Sequence, residues 1–173
     1  MRITAVIRPR KRSTMELERA QKIAERVVKC LSPHCWRIEI VGSIRRKKPF
    51  VNDIDLVLIP NALWDFPRAI AKLGDLKVSG GKVLRVMVGV MDSSIQVDVY
   101  IASEATWATL LLIRTGSAEN NIRLASAARK RGWQLKASGQ GLLNENGERV
   151  AGDTEESIYA ALGLPWQEPE ERG

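Results

Sequence analysis

Apolar residues recur along the first third of the chain with two different spacings. Between Leu17 and Leu31 they return every three or four positions, which predicts an amphipathic helix. Ser13 or Thr14 can cap this helix, with Glu16 as the partner of Ser13 in a capping box. Residues 36–41 then read as a strand. From residue 53 to residue 59 the chain is apolar at nearly every position, which is typical of a strand buried on both faces.

The middle of the chain has the alternation expected of a hairpin. Residues 83–90 and 95–101 predict two strands around a turn at 91–94. In the second strand Gln96, Asp98 and Tyr100 share one face. A short helix over 62–73 and a loop over 77–82 are expected before this hairpin.

After Ser103 the pattern changes from strand to helix. We expect helices over 104–113 and 118–131, the second capped by Ser117, and short strands over 133–136 and 142–144. Asn146-Gly147 is a strong hairpin turn, and Asp153 with Glu156 predicts a last capped helix. The order of elements predicts an α+β fold: a mixed sheet with helices, followed by a smaller α/β unit.

Composition narrows the class of protein. The chain has 173 residues, 45% of them hydrophobic, and a formal net charge of +7, which suits one domain or two small ones and a polyanionic partner such as nucleic acid. The same charge is also compatible with ordinary solubility. His34 is the only histidine, which excludes His-rich metal sites. Cys30 and Cys35 are expected to be reduced thiols, although their spacing does not exclude a bridge.

No apolar run reaches the roughly 18 residues of a membrane span, and the first residues do not read as a signal peptide. We therefore expect an intracellular protein with no membrane partner.

The candidate chemistry is concentrated between residues 41 and 60. Asp53 and Asp55 open the apolar strand and point to the same face, because strand side chains alternate. Two carboxylates at the mouth of a buried strand repel each other unless a cation lies between them, and hard oxygen donors suit Mg²⁺.

A small-residue turn and a basic segment precede these carboxylates. Gly42 allows a close approach of the backbone to a ligand, Ser43 offers a hydroxyl and an N–H, and Arg46 can grip a phosphate. Each piece alone also fits an ordinary turn, a solvated strand end or a solvated basic loop. Their order and spacing are more specific.

Together, Gly42-Ser43, Arg45-Arg46 and Asp53-Ile54-Asp55 resemble the signature of the polymerase-beta-like nucleotidyltransferases, and the arginine pair narrows the resemblance to the family X DNA polymerases. The second half is similar to the thumb of that family at Thr115-Gly116-Ser117, Asn121, Gly147-Glu148-Arg149-Val150-Ala151-Gly152 and Leu162-Gly163-Leu164-Pro165. The resemblance implies a nucleotidyltransferase palm over residues 1–103 and a thumb over residues 104–173, in a minimal form without further domains.

The same resemblance implies roles for individual residues. Asp53, Asp55 and Asp98 would be the catalytic carboxylates and the ligands of two Mg²⁺ ions, which Mn²⁺ could replace. The triphosphate would be bound by Gly42, Ser43, Arg46, Asn52 and Arg12. The sugar and base would be contacted by Ile113, Arg114, Thr115, Gly116 and Asn121, and the Gly116–Ser117 peptide bond would be cis. The implied function is DNA-directed addition of dNMP to a primer 3′-hydroxyl in short-gap repair, by a monomer whose partners are primer-template or gapped DNA and a dNTP.

Three positions depart from the family pattern. Val51-Asn52 replaces a Ser-Gly that contacts phosphate, Ile113-Arg114 replaces an aromatic pair beside the sugar, and Ala125 replaces an arginine that contacts the template. Untemplated or small-substrate nucleotidyl transfer therefore stays open as an alternative, as does a non-catalytic module that binds DNA ends.

Overall fold

The structure, a computed structural model, describes residues 14–63, 66–80, 82–90 and 93–173. The first part of the chain forms β1 (Met15–Glu16), α1 (Leu17–Leu31), β2 (Cys35–Ile40), α2 (Gly42–Arg45), β3 (Phe50–Val51), β4 (Asp53–Pro60), α3 (Phe66–Ala71), β5 (Asp75–Gly80), β6 (Val83–Val90) and β7 (Ser93–Ile101). The second part forms α4 (Trp107–Thr115), α5 (Ala118–Lys130), β8 (Gln134–Lys136), β9 (Gly141–Leu143), β10 (Arg149–Ala151) and α6 (Glu155–Ala161). None of the helices in the described ranges is long and apolar enough to cross a membrane.

A five-stranded sheet in the order β2-β4-β7-β6-β5 organises the first part. The central pair β4 and β7 is parallel, and the other pairs are antiparallel. Because β4 is apolar on both faces, it is covered on both sides. Ile54, Leu56 and Leu58 pack with the apolar stripe of α1, and Val57 and Ile59 pack with Trp107 and Leu110 of α4.

The second part has its own core beside a small antiparallel sheet in the order β10-β9-β8. Leu112, Leu124, Leu142, Ile158 and Tyr159 form that core. Since α4 contributes to this core and also to the one over β4, it fixes the second part to the main sheet. The predicted α+β class, a mixed sheet followed by a smaller α/β unit, is confirmed.

Three local predictions are wrong. Residues 77–80, expected in a loop, belong to the edge strand β5, which pairs with β6 from Asp75↔Met87 to Gly80↔Val83. The N-cap of α1 is Glu16, whose side chain makes no capping hydrogen bond; Ser13 lies outside the described residues. The last helix is capped by Thr154 and Ser157, which exchange side-chain to backbone hydrogen bonds, whereas Asp153 pairs with Arg149 at 3.1 Å.

Candidate active site

A cavity of about 440 Å³ lies where the beginning of β4 meets two glycine turns. One turn joins β2 to α2 at Gly42-Ser43, and the other joins α4 to α5 at Gly116-Ser117. Every residue predicted to bind substrate or metal lines this cavity except Asp98, which lies behind Asp55, and Arg12, which falls outside the described residues. Lys48, Phe50, Ser117 and Ala118 also line it and were not predicted to bind the nucleotide or a metal.

The three carboxylates come from the two central strands of the sheet. In the parallel register of β4 and β7, Asp55 lies directly beside Asp98, and Asp53 lies beside Gln96. Asp98 is 4% exposed, and its two carboxylate oxygens accept hydrogen bonds of 2.7 Å from Nε and Nη2 of Arg85. The amide of Gln96 donates to both oxygens as well, at 3.1 and 3.2 Å. The carboxylate of Asp98 is therefore fixed in place by Arg85 and Gln96.

The environment of Asp55 strongly disfavours its charge. Burial is the largest cause, followed by the carboxylates of Asp53 and Asp98, and together they raise the pKa of Asp55 from 3.8 to about 7. The phenol of Tyr100 and the guanidinium of Arg114 act in the opposite direction. A cation placed among these carboxylates would relieve the repulsion and keep Asp55 ionised.

The Gly42 turn packs directly against Asp55. Gly42 has φ +65°, and a Cβ built there would lie 2.1 Å from Oδ2 of Asp55, so only glycine fits without displacing that carboxylate. The backbone N–H of Val41 donates to the carbonyl of Asp55 at 2.9 Å. The hydroxyl of Ser43 is buried and has no hydrogen-bond partner. The turn therefore holds Asp55 in place and has a hydroxyl available for a ligand.

The two adjacent arginines serve different parts of the molecule. Arg46 donates to the main-chain carbonyl of Thr115, while its Nε is buried without a partner. Arg45 donates to Oγ1 of Thr115 at 2.7 Å and to Glu155 at 2.6 Å, and the other oxygen of Glu155 accepts from Arg172 at 2.7 Å. Both arginines thus join the two parts of the chain, and Arg46 also lines the cavity.

The second turn is shaped by glycine and by a cis peptide bond. Gly116 has φ +73°, and a Cβ there would lie 3.1 Å from Nη1 of Arg46. The Gly116–Ser117 bond is cis, as the family resemblance implies. Ser117 caps α5 by accepting from the N–H of Asn120. Asn121 donates to the carbonyl of Ile113 at 2.8 Å, and its Oδ1 remains buried without a partner.

Arg114, at the end of α4, stacks on an aromatic ring behind the carboxylates. Its guanidinium carbon lies 4.1 Å from the centroid of the Tyr100 ring. The Tyr100 hydroxyl in turn donates to Oδ1 of Asp55 at 3.4 Å. The alternation of strand residues predicts that Tyr100 shares the face of Asp98, but no local pattern indicates that a residue of α4 will pack on its ring.

The donors present suit a divalent cation, although they do not form a complete cage. Within the described ranges, no group of three or more Asp, Glu, His or Cys side chains is arranged to hold a metal ion. Asp53 and Asp55 nevertheless offer hard oxygen ligands, and the raised pKa of Asp55 marks the point where positive charge is needed.

The sheet, the paired carboxylates and the two turns agree with the polymerase-beta-like fold that the sequence resemblance implies. Comparison with known proteins supports the same resemblance. A family model described as the DNA polymerase beta thumb matches residues 110–173. The DNA polymerase/3′-5′ exonuclease PolX of Bacillus subtilis (strain 168) is 28% identical over 158 residues, which is 88% of this chain and 27% of that protein.

Two structures of Leishmania infantum polymerase beta share the fold. The ternary P/T complex has a TM-score of 0.78 and 20% identity over 93% of this chain and 77% of its own. The ternary gap complex has a TM-score of 0.80 and 19% identity over 92% of this chain and 71% of its own. The chain is thus similar to DNA polymerase beta and to PolX, and it spans about a quarter of the length of the curated relative.

Proposed function

We propose that this chain is a DNA-directed DNA polymerase that adds dNMP to a primer 3′-hydroxyl, most efficiently in short gaps. The observation that carries the proposal is the convergence of Asp53, Asp55 and Asp98 on neighbouring strands, with Asp53 and Asp55 lining a cavity that the two glycine turns also line. This arrangement places ligands for a cation beside groups that can bind phosphate.

Asp53 and Asp55 would hold two Mg²⁺ ions, or Mn²⁺ in their place. Asp98 would become a further ligand when a metal ion replaces Arg85 as its partner. Such ions lower the pKa of the attacking hydroxyl and neutralise charge on the leaving pyrophosphate. Asp98 would also lie close enough to the primer terminus to accept its proton.

The remaining residues would bind and orient the nucleotide. The Ser43 hydroxyl, the Gly42 turn and Arg46 offer donors to phosphate oxygens, and Asn52 lines the same cavity. Arg12, outside the described residues, is proposed as a further phosphate contact. The Thr115-Gly116 turn with Ile113 and Arg114 would lie against the sugar. The unpartnered Oδ1 of Asn121 would accept from the edge of the base.

We propose a palm over residues 1–103 and a thumb over residues 104–173, acting as a monomer inside the cell on gapped or primer-template DNA. Binding to DNA would be dominated by phosphate contacts because the chain carries a net charge of +7. Each phosphate neutralised should add about 0.9 to the slope of log affinity against log salt. A flat salt titration would contradict this mode of binding.

The decisive assay offers each dNTP singly to a one-nucleotide gap and to a lone single-stranded primer, with Mg²⁺ and then Mn²⁺. Insertion of the templated base into the gap, with little growth of the lone primer, is expected. Equal extension of the lone primer by any base would replace the proposal with untemplated transfer, and DNA binding without turnover would replace it with a non-catalytic module.

Matched variants tie the activity to the proposed site. Asp53→Asn should abolish nucleotidyl transfer and leave DNA binding in place. Asp75→Asn is the control, since Asp75 lies in the same sheet with its side chain 83% exposed and carries the same charge. Equal activity of the two variants would remove Asp53 from the site.

A further inference from the structure

Arg114 places a positive charge inside the acidic end of the cavity. Its guanidinium stacks on Tyr100 at 4.1 Å, and the Tyr100 hydroxyl contacts Oδ1 of Asp55 at 3.4 Å. The three residues come from α4, β7 and β4, so the contact forms only when these elements are packed together. Arg114 also lines the cavity beside Gly42 and Ser43.

The surroundings of Arg114 leave part of its hydrogen-bonding capacity unused. Its Nε is buried without a partner. An aromatic face supports a guanidinium without satisfying its N–H groups, because the attraction acts on the ring's π face. The nearby carboxylate supplies the charge complement, and Arg114 correspondingly acts to lower the pKa of Asp55. The residue is stabilised by charge and by stacking, and it retains a free donor.

A guanidinium in this position does part of what a divalent cation would do. It offsets some of the negative charge of Asp55. A metal ion that approaches Asp55 is therefore repelled by the positive charge of Arg114 and is attracted less strongly, because Arg114 already offsets part of the negative charge of the carboxylate. A triphosphate in the cavity would attract Arg114, since guanidinium pairs strongly with phosphate.

We propose that Arg114 is an internal counter-ion that competes with the divalent cation for Asp55 in the ligand-free protein and transfers to the triphosphate when a nucleotide binds. This inference rests on the proposed nucleotide and metal site. Arg114 would then couple the two ligands. Metal alone binds weakly, and metal with nucleotide binds cooperatively, because the nucleotide removes the competing charge.

The test measures Mn²⁺ binding by electron paramagnetic resonance, without nucleotide, at low ionic strength and pH 8.5. Arg114→Met should bind Mn²⁺ about three- to tenfold more tightly than the wild type, the range expected for removal of a unit charge several ångströms away in a partly hydrated site. Arg131→Met is the control, because it removes the same charge and another ring contact, with Trp133, at the far end of α5. Unchanged or weaker Mn²⁺ binding by Arg114→Met would overturn the proposal.

A double-mutant cycle tests the role of the stacking platform. Tyr100→Leu should also tighten Mn²⁺ binding, because the guanidinium loses its support beside Asp55. The double variant should bind no more tightly than Arg114→Met alone, since both changes remove one competitor. Additive gains would contradict the mechanism. Circular dichroism establishes that each variant is folded.

The effect of a nucleotide on Mn²⁺ binding provides a further test. Adding dATP should tighten Mn²⁺ binding less in Arg114→Met than in the wild type, and the variant should bind dATP more weakly. A variant with the full nucleotide effect would show that Arg114 does not transfer to the triphosphate.

These outcomes separate the inference from the proposed function. Mn²⁺ binding that responds to Arg114 in a protein without polymerase activity would support the counter-ion and refute the polymerase. Polymerase activity together with Mn²⁺ binding that does not respond to Arg114 would support the polymerase and refute the counter-ion. If the wild type binds no Mn²⁺ in the absence of nucleotide, Mn²⁺ binding by Arg114→Met would support the proposed competition. Absence of Mn²⁺ binding in both proteins would refute it.

Discussion

Replacing Asp55 with Asn should stabilise the metal-free protein at alkaline pH, even though it should abolish activity. The pKa of Asp55 is raised from 3.8 to about 7 by burial and by the neighbouring carboxylates. The folded protein therefore holds a proton on Asp55 that the unfolded chain releases near pH 4. Stability contributed by that proton is present below pH 4 and is lost as the pH rises through about 7. Asn carries no charge, so the variant avoids this loss.

The magnitude follows from the size of the shift. A rise from 3.8 to about 7 is roughly three pKa units, and each unit corresponds to about 1.4 kcal/mol. The upper bound is thus about 4 kcal/mol at pH 8.5, and since the site opens to solvent we expect a gain of about 2 to 4 kcal/mol. At pH 4.0 the gain should fall to about 0.5 kcal/mol, because Asp55 is then protonated in the folded protein and partly protonated in the unfolded chain.

Urea unfolding with a chelator present, followed by circular dichroism at pH 4.0 and pH 8.5, measures the difference. Asp98→Asn is the matched comparison and should have the opposite sign. It breaks the two-pronged pair with Arg85 at a residue that is 4% exposed, which should cost about 1 to 3 kcal/mol. If Asp55→Asn is no more stable than the wild type at pH 8.5, Asp55 is not desolvated as argued.

Three further outcomes are expected. Gly42→Ala should abolish nucleotidyl transfer in the gap-filling assay. It should also lower stability in urea by more than the roughly 1 to 2 kcal/mol expected for Gly147→Ala, because both glycines have positive φ but only a Cβ at Gly42 would meet Asp55. Equal losses of stability would contradict this packing. Glu155→Gln should cost about 3 kcal/mol in the same unfolding measurement, because it leaves Arg45 and Arg172 without their shared carboxylate. Glu170→Gln breaks an exposed pair and should cost less than about 1 kcal/mol. Similar costs would show that the buried network does not join the two parts. Discrimination between dNTP and rNTP in single-nucleotide insertion should be weak, since no aromatic pair stands before Thr115; a strong preference for dNTP would assign the selection to the backbone of the turn.

Local patterns were enough to predict the elements that build the site. The apolar run after Asp53 predicted a doubly covered strand because a strand flanked by helices must be apolar on both faces. The alternation around Asp98 predicted its shared face with Tyr100. The edge strand β5 was missed because Asp75–Gly80 combines glycine and polar residues, and only its pairing with β6 makes it extended.

Contacts between distant residues could not be predicted in this way. Arg85 meets Asp98 only because β6 and β7 pair in that register. Glu155 meets Arg45 across 110 positions of the chain, and nothing near either residue signals the other. Sequence periodicity reports which face of an element is buried, but it does not report which charged residue a buried carboxylate will meet.

The distribution of unused hydrogen-bonding atoms gives an independent reason to place a nucleotide in this cavity. Among the described residues, six buried side-chain atoms have no partner, and four of them belong to Ser43, Arg46, Arg114 and Asn121, all of which line the cavity. Buried polar atoms without partners destabilise a folded protein, so their concentration at one place indicates a ligand that satisfies them. Three are donors, on a hydroxyl and two guanidinium groups, and one is an amide oxygen that can only accept. A polyanion joined to a group that carries N–H donors matches this set, and a nucleoside triphosphate has both.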